Sequence, residues 1–414
     1  MSFSKWEDKD GFIVDQKLIR YNGRDKIDKS GIPMCSIDND IFLDTNNTNS
    51  IIIGSKGSCK HQAIIFPMLD SICASGESAL VSNYDDEVID VTKDMFLKNG
   101  YSIYSFDFDN ALNTMGWNPF SLPVKYYKEG NSDKCLELIE NIGYYLLYEL
   151  EPNSDPFWIN SVINYFKGLV FYTIKNNDDV NFSTIYSLSE KVCEDKKEFL
   201  SNMKSGSVEY ICLNSILNMP NDTFLSVISI FNNSFNRYLI KENFMNMFSN
   251  NDILLTDIFN TKSIIYIKSG EKSISAGLLP LFISQIYDSK NDKSKFNILI
   301  TDFSNYKPIQ NFARILDYSI NKGICFTLFV PDFNGIAKTY GIDGKYAILA
   351  NMRTFIYLLS NDVETMEEIN KICGVRDYSA IDELKNIKSF EAIVINPRSN
   401  PLKTKLLPYY VFKK

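Results

Sequence analysis

The sequence predicts an α/β protein: a mostly parallel central sheet whose chain is interrupted by an inserted all-α domain. Three observations carry that expectation. Short, continuous apolar runs recur in the first and last thirds of the chain, which suits strands buried on both faces. Helix-like stretches separate them, giving the alternation of a parallel sheet covered by helices. Between about residues 125 and 255 the strand signal nearly vanishes, and apolar residues recur at helical spacing instead.

Residues 1–47 are polar and turn-rich, with strand-like pieces "GFIVD" (11–15) and "DIFLD" (40–44). From residue 50 the pattern changes. "SIIIG" is a short apolar strand ending in glycine, followed by a loop and by "HQAIIFPMLDSICASG", which reads as a helix despite Pro67. "SALVSN" (78–83) and "YSIYSFD" (101–107) are further strands, with "DEVIDVTKDMFLKNG" as the helix between them. The helical region holds "KCLELIENIGYYLLYEL", "WINSVINYFKGLVFYTIKN", "TIYSLSEKVCEDKKEFLSNM" and "LSVISIFNNSFNRYLIKENFMNMF". Strands resume at "SIIYIK" (263–268), "FNILIT" (296–301), "CFTLFV" (325–330), "TFIYLL" (354–359) and "EAIVIN" (391–396). "AGLLPLFISQIYDSK" and "VETMEEINKICG" are helical candidates in the gaps. The expected organisation is an N-terminal strand- and turn-rich segment (1–47) joined to the core, the first part of the α/β domain (48–125), the all-α insertion (126–255) and the second part of the α/β domain (256–414).

At 414 residues and 45% hydrophobic, the chain can bury a substantial core. Its net charge of -8 argues against a general coat for nucleic acid, though not against a local basic groove. Eight scattered cysteines form no C-x-x-C pair, and several lie in apolar runs, the pattern of reduced, buried thiols inside a cell. The amino terminus has no apolar signal core, and no apolar run approaches the length of a membrane span.

The candidate chemistry lies in "GSKGSCKH", residues 54–61, set against the phosphate-loop pattern G-x-x-x-x-G-K-[ST]. Gly54, Gly57 and Ser58 permit a tight turn after a strand, and Lys60 would bring positive charge to a phosphate. Cys59 stands where the second glycine belongs, and His61, the single histidine of the chain, where the Mg²⁺-binding hydroxyl belongs. Imidazole substitutes poorly for an oxygen ligand of Mg²⁺. Cys59 and His61 also lack ordinary zinc spacing, so no metal site is expected.

Read with its surroundings, the chain from about residue 30 onward resembles the type IV secretion coupling proteins, the TraG/TraD-like conjugative DNA-transfer ATPases. "SIIIGSKGSCKHQAIIFPMLD" is similar to that family's first strand, Walker A loop and proline-bearing helix. The block from residue 78 resembles the next one, with Trp117, Asn118 and Pro119 at a Trp-Asn-Pro motif. "DPFW" (155–158) resembles a signature that opens a helix of the all-α domain. "FNILITDFSNYKPIQNF" is similar to the Walker B strand and its sequel, and "GICFTLFVPDFNGIAKTYG" to the strand bearing a sensor glutamine. The resemblance implies a RecA-like P-loop NTPase fold with an inserted all-α domain. It also implies a hexamer at the inner face of a membrane, coupling ATP hydrolysis to delivery of DNA or protein substrates.

The departures from the family pattern are concentrated in the chemistry. Asp302 remains at Walker B, but Phe303 stands at the glutamate that would orient water, and Pro331 at the sensor glutamine. The Asp and Lys of an Asp-Pro-Lys-Gly block become Asn83 and Asp85, and only Lys322 keeps a charge before the sensor strand. Hydrolysis needs Mg²⁺ held on the phosphates and a water placed for in-line attack. The expectation is a vestigial or weak nucleotide site (Gly54, Gly57, Ser58, Cys59, Lys60, His61, Asp302) with no catalytic residue and no required cofactor, ATP and Mg²⁺ being the pair the loop would once have held. For Lys60 the plainer alternative is a helix-start lysine paired with Asp302. Trp117 and Trp158 are expected to pack in a core or domain interface rather than stack on bases.

Three functions compete at this level. One is a non-hydrolysing binding, scaffolding or regulatory component of a conjugative or type IV secretion system, with apparatus proteins as partners, an active ATPase paralogue among them. The second is an active ATP-dependent DNA translocase with a rebuilt site. The third is a stand-alone α/β module that binds nucleic acid, single-stranded DNA included. A monomer or small oligomer is expected rather than a hexamer, since loss of shared chemistry relaxes the need for a ring. The expected location is cytoplasmic, or peripheral at the inner membrane face through partners.

Overall fold

The structure, a computed structural model, describes residues 8–83, 86–110, 114–147, 155–177, 179–269, 275–374, 379–397 and 399–413. Asp85, residues 1–7 and the end of "KCLELIENIGYYLLYEL" lie outside the described residues. The chain divides into two compact units: Met1–Ser105 with Phe259–Gly270 and Lys290–Lys414, and Phe106–Ile258 with Glu271–Ser289. Among the described residues no helix is long and apolar enough to cross a membrane.

Among the described residues twelve strands are present: β1 (Ile19–Tyr21), β2 (Ile32–Ile37), β3 (Asp40–Asp44), β4 (Ser50–Gly54), β5 (Ser78–Asn83), β6 (Ser102–Asp107), β7 (Ser263–Lys268), β8 (Phe296–Ile300), β9 (Ile324–Val330), β10 (Thr354–Leu359), β11 (Glu391–Ile395) and β12 (Leu402–Lys405). Nine of them form one sheet in the order β12-β11-β10-β4-β9-β8-β5-β7-β6. Strands β10, β4, β9, β8, β5 and β7 run parallel, each paired with the next. β11 is antiparallel to β10, and β12 to β11. A separate antiparallel sheet holds β1-β3-β2.

Every residue of β4, β8 and β9 is buried. This is why they read as unbroken apolar runs: helices cover both faces of a parallel sheet, so no alternate position meets water. Ile52, Leu299, Phe329 and Ile356 from neighbouring strands meet Ile64, Ile65 and Leu69 of the following helix in one core cluster. Asn49, just before β4, is buried but satisfied. Its side chain donates to the Leu316 carbonyl (2.9 Å) and accepts from the Phe326 N–H (2.9 Å). Deleting it would leave a buried donor and acceptor unpaired.

The second unit contains helices Ser121–Lys128, Ser132–Leu147, Pro156–Asn176, Phe182–Glu194, Lys196–Ser201, Val208–Leu217, Asn221–Leu239, Glu242–Ser249 and Ser275–Ser289. Local signals place their ends. Asp155 accepts from the Phe157 N–H with Pro156 behind it, and Asn181 forms a reciprocal capping box with Thr184. The stretch "TIYSLSEKVCEDKKEFLSNM", helical in its spacing, forms two helices. Asp195 is extended, ends the first, and accepts from Lys197 and Glu198 N–H groups to start the second. Trp117 is fully buried here, its indole edge-on to Phe282 (4.9 Å) and donating to Gln285 Oε1 at 3.2 Å.

One reading of the sequence needs correction. "GFIVD" is not a strand but part of a helix, Lys9–Gln16, because Asp8 accepts from the Gly11 N–H and caps it. "DFNGIAKTYG" opens a long helical stretch, Phe333–Ala350, which fills the gap between two strands where a helix is expected. Its three glycines argue against a helix, and one of them, Gly341 (φ 76°), does kink it. Helix Phe312–Ser319 fills another such gap, while β2 and β12 are not singled out in the sequence.

Candidate functional site

Because β10, β4, β9 and β8 are parallel, their C-terminal ends (Leu359, Gly54, Val330 and Ile300) open on the same edge of the sheet. That edge is where open α/β sheets bind ligands. The loop after β4 turns back tightly: the Ser55 N–H donates to the Leu359 carbonyl (2.9 Å), and the Ser58 N–H to the Ser55 carbonyl (3.1 Å). Gly54 lets the loop fold closely over the strand end: a Cβ there would lie 2.6 Å from Ser58 Oγ and force that hydroxyl to turn away. Gly57 takes φ 89°, and Cys59 is held at φ 59°. That second value suits the glycine of the motif and costs an L-residue about 1–2 kcal/mol.

The helix that follows starts with a π-helical turn, His61–Ile65, in which the Phe66 N–H reaches back to the His61 carbonyl. It then becomes α-helical over Phe66–Ser75, with Pro67 in its first turn, where a missing N–H is tolerated. Lys60 precedes the π turn. Its ammonium lies 3.4 Å from Asp302 Oδ1, with both side chains partly exposed. Asp302 follows β8 in a left-handed conformation (φ 49°).

The other expected positions behave differently. Phe303 is 2% exposed and stacks on Tyr340 (5.3 Å, 17°) and against Phe312 (5.2 Å). The ring at the Walker B glutamate position thus belongs to the hydrophobic core. Pro331 follows β9, and its carbonyl accepts from Ser360 Oγ at 3.0 Å. The next residue, Asp332, caps helix Phe333–Ala350 by accepting from the Gly335 N–H at 2.7 Å. Asn83 is buried at the end of β5, and its carbonyl accepts from the Ser269 N–H. Lys322 sits just before β9, on the sheet edge away from the loop. Trp158, in the first turn of Pro156–Asn176, is half-buried and edge-on to Phe157.

His61 has a partner that the sequence reading missed. Its Nδ1 lies 2.6 Å from Glu87 Oε2, at the start of the helix after β5. An acidic residue in that helix's first turn was the available signal, but nothing in the spacing pointed it at residue 61. The consequence is chemical. The imidazole at the Mg²⁺-ligand position is already engaged by a carboxylate and offers no hydroxyl oxygen, so this position does not fit a Mg²⁺ ion. Among the described residues no three His, Cys, Asp or Glu side chains gather as a metal site. The anion side fits better. Ser55 and Ser58 each bury a hydroxyl with no hydrogen-bond partner in the loop beside Lys60.

The comparisons with known proteins bear on the family and the fold. The family described as "Type IV secretory system Conjugative DNA transfer" matches residues 3–378. No protein of curated function matches. Among solved structures, the bacterial conjugative coupling protein TrwBdeltaN70 in unbound form is 11% identical, with a TM-score of 0.65 over 98% of this chain and 92% of that one. Plasmid coupling protein TrwB in complex with a non-hydrolysable ATP analogue gives 12%, 0.66, 93% and 90%. VirB4 of Thermoanaerobacter pseudethanolicus gives 10%, 0.57, 94% and 100%. At such identities the structures speak to the fold, a RecA-like P-loop NTPase architecture with a helical insertion. With the family match spanning most of its length, the chain belongs to the type IV secretory system conjugative DNA transfer family.

Proposed function

We propose that this chain is a catalytically degenerate member of its family, a non-hydrolysing binding, scaffolding or regulatory component of a conjugative or type IV secretion apparatus. The observation that carries this is Phe303. A glutamate there would have to face a water beside the phosphates, whereas the ring is locked between Tyr340 and Phe312 in the core. Cys59 in a glycine conformation, His61 bound to Glu87, and Pro331 at the sensor position point the same way. Loss of one preorganised polar group in an active site costs several kcal/mol of transition-state stabilisation, and here several are replaced together. Its partners are then proteins of the apparatus, an active ATPase paralogue among them, and its location is at the inner membrane face through those partners.

A second reading, an ATP-dependent DNA translocase with a rebuilt site, draws on the Lys60–Asp302 pair and the two unpartnered loop hydroxyls. It also draws on TrwB, a structural relative solved in complex with ADP and Mg2+. Phosphate release from ATP, Mg²⁺ and single-stranded DNA, with wild type and Lys60→Ala side by side, separates the two. The expected result is background release from both proteins. Turnover that disappears in Lys60→Ala would overturn the proposal. Calorimetric titration with a non-hydrolysable ATP analogue then reports whether the loop still binds phosphate.

A further inference from the structure

Residues 409–413 lie along the helix that leaves the loop and grip it at three points. The Tyr410 N–H donates to Gln62 Oε1 at 3.3 Å. The Tyr409 ring packs on Phe66 (5.6 Å), and its hydroxyl donates to Asp70 Oδ2 at 3.1 Å. Lys413 Nζ lies 2.6 Å from the same carboxylate and donates to the Gly23 carbonyl at 3.0 Å. Asp70 is 2% exposed and also accepts from the Tyr21 hydroxyl. Phe412 fixes the segment by packing with Tyr21, Ile41 and Leu43.

The three gripped positions are 62, 66 and 70. In an unbroken α-helix a step of four residues drifts by about 40°, so Gln62 and Asp70 would be about 80° apart around the axis. The wider π turn at His61–Ile65 drifts in the opposite sense over its step and cancels most of that offset. The π turn therefore aligns Gln62 with Phe66 and Asp70 on a single stripe, the one that faces residues 409–413. A π turn is rare and persists where its surroundings hold it.

We propose that residues 409–413 are a strap that holds the turn His61–Ile65 in its π register and thereby sets the placement of Cys59, Lys60 and His61. Releasing the strap lets the turn relax toward α register and rotates the loop residues relative to the helix. The release point is accessible: Lys413 and Asp70 border a cavity of about 600 Å³ that is also lined by Arg24, Asp25 and Lys262. The inference concerns the protein alone and does not depend on whether the loop binds a nucleotide or hydrolyses it.

The test compares the unaltered protein with Gln62→Leu/Lys413→Met and, separately, with a chain ending at residue 407. Hydrogen exchange resolved by peptide is read over residues 61–66, over β4 and over 156–176. Alkylation is read at Cys59, with the exposed Cys193 of the other unit as the internal standard. The strap predicts exchange over 61–66 rising about tenfold or more in the double variant, while β4 is unchanged. It also predicts a several-fold change in the Cys59 labelling rate, with Cys193 constant. The truncation should reproduce both effects. Unchanged exchange over 61–66 in the double variant overturns the proposal. So does a rise of equal size at all three places, which would mark residues 409–413 as general packing only.

Discussion

Restoring the Walker B glutamate by Phe303→Glu is the sharpest way to separate a core residue from a catalytic one. Phe303 is 2% exposed, with Tyr340 stacked on one side and Phe312 on another. Removing a buried phenyl costs about 3–5 kcal/mol in packing, and the two aromatic contacts add about 0.5–1.5 kcal/mol each. The carboxylate then sits in an apolar cluster, where desolvation penalises its charged form by several kcal/mol unless it takes up a proton. A loss of at least about 4 kcal/mol is therefore expected, a large share of a domain's total stability. Urea denaturation followed by tryptophan fluorescence and circular dichroism measures it, with Phe303→Leu as a milder control. Burial raises the introduced carboxyl's pKa, so its neutral form is favoured in the folded state. Stability is then lost as pH rises from the unfolded carboxyl's value, and the deficit should be larger at pH 8 than at pH 5. A Phe303→Glu protein with a wild-type midpoint that releases phosphate from ATP would refute the reasoning, because the side chain would then have to face the loop.

Two further perturbations address the loop and the core. Cys59→Gly should leave the protein's stability within about 1 kcal/mol of wild type or raise it, since relief at φ 59° opposes the greater freedom of glycine in the unfolded chain. Cys59→Val should lower the thermal midpoint, and a gain with valine would contradict the backbone argument. Burial pushes the thiols of Cys73 and Cys325 up to about 11, and those of Cys35, Cys135 and Cys373 up to about 12, from an ordinary 9.0. Between those values the unfolded chain loses thiol protons that the folded chain keeps. Stability should therefore fall above pH 9, by up to about 1.4 kcal/mol per pH unit for each thiol. Urea midpoints at pH 8, 9 and 10 measure the slope; a flat profile would mean that these thiols ionise in place.

The fold was legible because burial on both faces leaves its mark on sequence. Strands such as "SIIIG" and "CFTLFV" are buried throughout, so their apolar runs needed no tertiary knowledge. Glycines obscured the helix after Pro331: a Cβ on Gly335 would come within 2.7 Å of Ser304 Cβ, and Gly341 takes φ 76°, needs that propensity cannot express. The replaced residues of the site were equally legible, being read position by position against a motif. What the sequence withheld was where each replacement went. Phe303 joins the core and His61 joins Glu87, contacts made over distances that no local spacing encodes. The segment "YYVFKK" carries two lysines, too few to mark a nucleic-acid tail, yet its Tyr409 hydroxyl and Lys413 ammonium converge on one buried carboxylate, that of Asp70.

The hairpin-like flank of the large sheet has a geometric corollary. β11 reverses the direction of β10, and β12 reverses it again, so the polypeptide leaves Lys405 heading the same way as β4 does at Gly54. Two reversals return the chain to the rim from which the helix of Phe66 departs, and a single reversal would have delivered it to the far side. Parity, rather than length, is what brings residue 409 within reach of residue 66. Homologues that add or drop one ribbon in that flank should therefore lack any counterpart of these contacts, whatever residues they carry at the end of the chain.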